Sequence, residues 1–108
     1  MNVKHFIEER ILVFEIVEEL DHHTCEIIRR RADYEIQRFM PRKVIFDFNR
    51  VVFMDSAGIG LIIGRYKTVT ALGGTLEMIN VSNKLRQVFE MSGILNIIQI
   101  NDIKEKIS

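Results

Sequence analysis

The chain has 108 residues, 47% of them apolar and 28% charged, and its fifteen basic and fifteen acidic side chains cancel. That composition fits one compact domain with one core, spanning residues 1–108, and leaves no room for a second. It argues against a nucleic-acid binder, which carries clustered basic charge, and no apolar run approaches the roughly 18 residues that span a bilayer.

The N-terminus, MNVKHFIEER, lacks the apolar core of a secretory leader, so the expected compartment is the cytoplasm. Arg10 to Val17 is rich in β-branched and aromatic residues and short enough for a strand, with His5 to Ile7 as its candidate hairpin partner. Asp21 then offers a carboxylate to the free N–H groups of a helix start. Behind it Cys25, Ile28, Ala32 and Phe39 recur at helical spacing and predict an apolar stripe. Arg29, Arg30 and Arg31 point in three directions on such a helix and read as a solvated face. Pro41 ends it. Cys25 is the only cysteine, so no intramolecular disulfide forms and a reducing compartment fits.

Val44 to Phe48 (VIFDF) is a second strand, apolar enough to suggest cover on both faces, and Val51 to Met54 continues toward the run that begins at Phe53. Asp47 stands out inside it, because an unpaired buried carboxylate is costly; it faces out or pairs near a functional edge. A helix follows from Ser56 to Leu72, stopped by Gly73-Gly74. Thr75 to Ile79 is a strand. Ser82 caps a helix carrying Leu85, Val88 and Phe89, which Gly93 closes. Leu95 to Ile100 reads as the last strand, and Asp102 as the start of a short terminal helix. The seven phenylalanines and the methionines, including Met78 and Met91, are expected mostly in the core.

Strands alternating with helices imply an α/β fold with a mostly parallel sheet and right-handed crossovers. In such sheets sites gather at the carboxyl ends of strands. Asp21 and the pair Asp55-Ser56 both follow strand ends, so two loops distant in sequence are expected on one edge.

The run Phe53 to Lys67 (FMDSAGIGLIIGRYK) invites several chemistries. Ser56 is a helix N-cap, a nucleophile on a strand-to-helix elbow, or an acceptor of phosphate, which a helix N-terminus accommodates. The elbow motif wants glycine where Met54 stands. A dinucleotide fingerprint wants glycine where Ile63 stands, and no Walker G-K-[ST] is present. Gly60 and Gly64 share one face and suit a closely packed element, or equally a partner's backbone. His22, His23 and Cys25, with His5 distant, supply too few ligands for structural zinc, which takes four. Neither metal nor cofactor is expected.

Phe53-Met54-Asp55-Ser56-Ala57-Gly58-Ile59-Gly60, followed by Gly64-Arg65-Tyr66-Lys67, resembles the signature of the anti-sigma-factor antagonists, the single-domain members of the STAS superfamily. Glu19 to Thr24 (ELDHHT), Gly73-Gly74 and Phe89 to Gly93 (FEMSG) agree in order and spacing, and the likeness is strongest to the sporulation sigma-F group. The resemblance implies a mixed sheet with helices packed on it and a regulatory binding protein without catalysis. It implies binding to an anti-sigma factor that is also a serine kinase, release of the sigma factor, phosphorylation on Ser56 that ends the binding, and a phosphatase that restores it. The implied partner surface comprises Asp21, His22, His23, Asp55, Ser56, Ala57, Gly58, Ile59 and Gly60, on a monomer or weak dimer. Two positions depart from the pattern: Ala57 replaces a second serine, and Glu18 replaces a glycine before Glu-Leu-Asp. The alternatives are a small nucleotide-binding or nucleotide-hydrolysing protein, and an antagonist of a stress-response pathway.

Overall fold

A computed structural model describes residues 1–101. Along the chain run β1 (Asn2–Phe6), β2 (Ile11–Glu15), α1 (His22–Phe39), β3 (Lys43–Asp47), α2 (Ser56–Ala71), β4 (Thr75–Ile79), α3 (Asn83–Ser92), a 3-10 turn (Ile94–Asn96) and β5 (Gln99–Asn101). The strands form one sheet in the order β1-β2-β3-β4-β5. β1 pairs antiparallel to β2 and the other pairings are parallel. The α/β class and the mostly parallel sheet are as expected; the N-terminal hairpin is present, but its first strand is Asn2–Phe6 where His5 to Ile7 was expected, and the expected terminal helix at Asp102 lies outside the described residues.

Alternation along the strands decides which face is covered. Leu12 and Phe14 of β2, Val44 and Phe46 of β3, and Leu76 and Met78 of β4 share one face and one core with all three helices. Within it Phe14, Phe46, Phe48 and Phe89 form a chain of rings with centroids 5.5–5.8 Å apart, each fully buried ring contributing about 1.5–3 kcal/mol. The opposite face carries Val13, Ile45, Glu77 and Ile79, of which Ile45 and Ile79 are buried outside the main core cluster. Val44, Ile45 and Phe46 are all buried, so the centre of β3 is covered on both faces, as expected. Its apolar run is divided between the faces, with Val44 and Phe46 in the main core and Ile45 buried on the other side.

Helix α1 buries Cys25, Ile28, Ala32 and Ile36. Ile36 takes the deep position expected of Phe39, which is half-buried and packs on His5. Met40, in the left-handed region, closes the helix before Pro41. Gly93 does the same for α3 at φ 81°, and Ser82 caps its start. Not every large apolar side chain is inside. Phe6, Phe53 and Met40 are exposed, and Met91 is 90% exposed on the outer side of α3, contrary to the core assignment.

The segment expected as one strand from Leu95 to Ile100 divides. The Ser92 hydroxyl accepts the Ile94 N–H, the chain makes a 3-10 turn that buries Ile94 and Ile98, and pairing begins only at Gln99. Val51 to Met54 is no strand: the Val51 N–H donates to the Phe48 carbonyl in a turn, and only Met54 makes a bridge.

Candidate docking and modification site

The two loops expected on one edge are joined there. Residues 16–21 leave β2 and residues 48–55 leave its parallel neighbour β3. The Ile16 N–H donates to the Asp47 carbonyl at 3.1 Å. Further out, Leu20 and Met54 form an isolated parallel bridge, and both side chains are buried. An open groove of about 400 Å³ lies between the loops, lined by residues 17–21 and 50–55.

Each loop ends in an aspartate that caps a helix. The Asp21 carboxylate accepts the Thr24 N–H at 2.7 Å at the start of α1. That bond holds Asp21 below the usual aspartate range, because it favours the ionised form. The Asp55 carboxylate accepts the Ala57 N–H at 2.9 Å at the start of α2. Asp55, and not Ser56, is therefore the N-cap. Ser56 becomes the first helical residue, exposed, and its hydroxyl has no hydrogen-bond partner among the described residues. The N-cap reading of Ser56 is thereby removed. Cys25 lies beneath the two caps; burial, then Asp55 and Asp21, push its thiol above the ordinary range.

The residues expected on the partner surface separate into two sets. Asp21, His22, His23, Asp55, Ser56 and Gly60 are exposed. Ala57 and Ile59 are half-buried and pack against the core, and Gly58 is buried. A Cβ on Gly58 would stand 2.8 Å from the Met54 Cβ and 3.0 Å from its Sδ. Gly58 thus lets the first turn of α2 close over the loop bridge. At Gly60 and Gly64 an added Cβ meets nothing within 4 Å. The close-packing reading of those two within the chain fails, and the glycine needed for packing is the one between Ser56 and Gly60.

Other expectations resolve nearby. Asp47 is half-buried, and its carboxylate accepts from the Asn49 N–H and the Asn80 side-chain amide, both at 3.0 Å. It pairs beside the site and ties the loops after β3 and β4 together. Glu18 needs no glycine-like backbone: positive φ occurs at Arg10, Met40 and Asn80, not there. Among the described residues no group of three His, Cys, Asp or Glu side chains is placed to hold a metal ion, and no helix is long and apolar enough to cross a membrane.

Sequence reasoning missed the groove's apolar lining. Val52 is 64% and Phe53 58% exposed, with Val17 beside them. Their position after the Asn49-Arg50 turn, outside any strand alternation, was the available signal.

One further pair sets the helices. Arg65 of α2 is 7% exposed, and its Nε lies 2.8 Å from Asp33 Oδ1 of α1. The N–H is not aimed at the oxygen, so the contact is an ion pair and not a hydrogen bond. Burial lowers the Arg65 pKa, with Asp33 opposing that effect.

The sequence profile of the STAS domain matches residues 4–107. An anti-sigma F factor antagonist of Paenibacillus polymyxa is 35% identical over 92 residues, which are 85% of this chain and 79% of that protein. The anti-sigma factor antagonist SpoIIAA in its unphosphorylated form has the same fold at TM-score 0.81 and 31% identity, over 98% of this chain and 91% of that one. The Bacillus cell fate determinant SpoIIAA in its phosphorylated form aligns at TM-score 0.73 and 31% identity, over 98% and 95%. With the signature residues gathered on one sheet edge, these likenesses place the chain in the STAS domain family, among its anti-sigma factor antagonists.

Proposed function

We propose that this chain is a phosphorylation-controlled antagonist acting on an anti-sigma factor that is also a serine kinase. In the unphosphorylated state it binds that kinase through the Asp21 and Ser56 edge and frees a sigma factor, with the sporulation sigma-F pathway as the setting. A phosphate on Ser56 ends the binding, and a serine phosphatase restores it. The chain acts in the cytoplasm as a single domain, monomeric or weakly dimeric, without catalysis or cofactor of its own.

The observation that carries this reading is the state of Ser56. Asp55 takes the capping bond, so the serine hydroxyl stands free at a helix start. Its neighbours along α2 are small: Ala57, and then Gly60 with open space around it. A kinase active site reaches such a hydroxyl without obstruction. A phosphoserine there carries about −1.5 to −2 charges beside unpaired N–H groups and the positive end of the helix dipole, so the domain stays folded. At an interface the same dianion is costly without a matching cation. The switch is therefore local exclusion at the contact, with no refolding.

The test is incubation with the anti-sigma F factor of the same organism and ATP. One phosphate is expected on Ser56 and none on Ser56→Ala, which should bind the kinase and never be released. Equal affinity of the phosphorylated and unphosphorylated chains would sink the switch. Amide shifts spread across the whole sheet on phosphorylation would sink local exclusion.

A further inference from the structure

The groove between the loops has a chemistry that Ser56 does not use. Its floor is apolar, with buried Leu20, Val51 and Met54, and its lips carry the exposed side chains of Val17, Val52 and Phe53. Exposed aliphatic and aromatic side chains gathered on a concave edge mark interaction sites, and an aromatic at such a place commonly anchors the contact. The rim is acidic. Among the described residues, Glu18, Glu19, Asp21 and Asp55 line it against the single cation Arg50. Glu18 is engaged by the N-terminal ammonium, and the capping bond keeps Asp21 ionised. Among the described residues the remaining balance of Glu19, Asp21 and Asp55 over Arg50 is negative.

We propose that this groove is a docking site separate from the phosphate acceptor, taking from the kinase a segment that presents an apolar side chain flanked by Arg or Lys. The inference rests on the antagonist reading above and specifies the partner's contribution to it. Charge complementarity selects the flanking cations, and the apolar lips select the side chain between them. Docking here would hold the kinase while its active site engages Ser56, a few residues along the chain from Phe53. The loop bridge between Leu20 and Met54 fixes the groove's width, so the docking element meets a preformed surface.

Val52→Ser and Phe53→Ser test this, because both side chains are exposed and their loss leaves the core intact. Each variant, in the full unphosphorylated chain, is titrated with the anti-sigma F factor of the same organism, and its melting temperature is recorded. Phe53→Ser should weaken binding by about tenfold or more. It should raise KM for phosphorylation of Ser56 while kcat stays unchanged, with a melting temperature equal to the parent chain's, which excludes an unfolded substrate fraction as the cause. Glu19→Lys should weaken binding and flatten its dependence on salt. Affinities within about twofold of the parent chain for both serine variants would overturn the groove while leaving the antagonist reading intact. Failure of the parent chain itself to bind would overturn both.

Discussion

Gly58 and Gly60 stand two residues apart in one helix, and the same substitution should act on them with opposite sign. At Gly58 an alanine Cβ falls 2.8 Å from the Met54 Cβ, which is not the movable end of that side chain. Met54 is 1% exposed and bridged to Leu20, so it has no room to retreat. Overpacking of this kind costs about 1–3 kcal/mol, against a helix-propensity gain of about 1 kcal/mol for replacing glycine. The balance is a net loss of about 1 kcal/mol, a fall in Tm of about 5 °C for a domain of this size. At Gly60 the added methyl meets nothing, so the propensity gain stands alone and Gly60→Ala should raise Tm by about 4 °C. Thermal and urea unfolding of the two variants measure both values. Stabilisation by both substitutions, or equal destabilisation, would refute the assignment of Gly58 to packing and Gly60 to open surface.

Asp21→Ala should lower Tm slightly through the lost α1 cap while weakening kinase binding far more; unchanged affinity of the folded fraction would leave Asp21 only a cap. The lowered pKa of Asp21 sets a sign in pH: its stabilising contribution is present above the ordinary aspartate pKa and is lost as pH falls through the folded value, so Asp21→Asn should flatten acid unfolding in that window. Asp33→Ala strands the buried guanidinium of Arg65 and should cost about 3 kcal/mol by urea unfolding, whereas the double change with Arg65→Met should recover most of that loss. Cys25, buried and with its pKa raised, should react with iodoacetamide at neutral pH only after unfolding; rapid labelling of the native chain would contradict its placement.

Local chemistry made most elements legible. Thr75 to Ile79 is bounded by Gly73-Gly74 and by the turn before Ser82, and the strand has those limits. Asp21, Ser82 and Gly93 declare their caps by residue type, and each makes one. The edge shared by Asp21 and Ser56 followed from strand ends alone. What failed depended on neighbours. Ser56 and Asp55 are both good caps, and only the fold decides that Asp55 takes the bond. Gly60 and Gly64 have the helical spacing of a packing pair, yet the close contact falls at Gly58, because Met54 arrives from a loop whose path no periodicity encodes. Ile94 and Ile98 are four apart, a helical spacing, and they turn under α3 where an apolar run suggested a strand. Phe53 and Met91 read as core from hydropathy, which carries no information on which side of a loop or helix remains uncovered.

The Leu20–Met54 bridge makes the two loops a single heritable unit. Each supplies half of one pairing, and Gly58 holds the lid over it. A residue inserted in either loop shifts the register of the other, so drift toward a new regulatory partner must proceed by matched changes on both sides. Anyone rewiring this chain to answer a different signalling circuit should transplant residues 16–21 and 48–55 together with Gly58. One loop moved alone arrives with a bridging side chain and no mate.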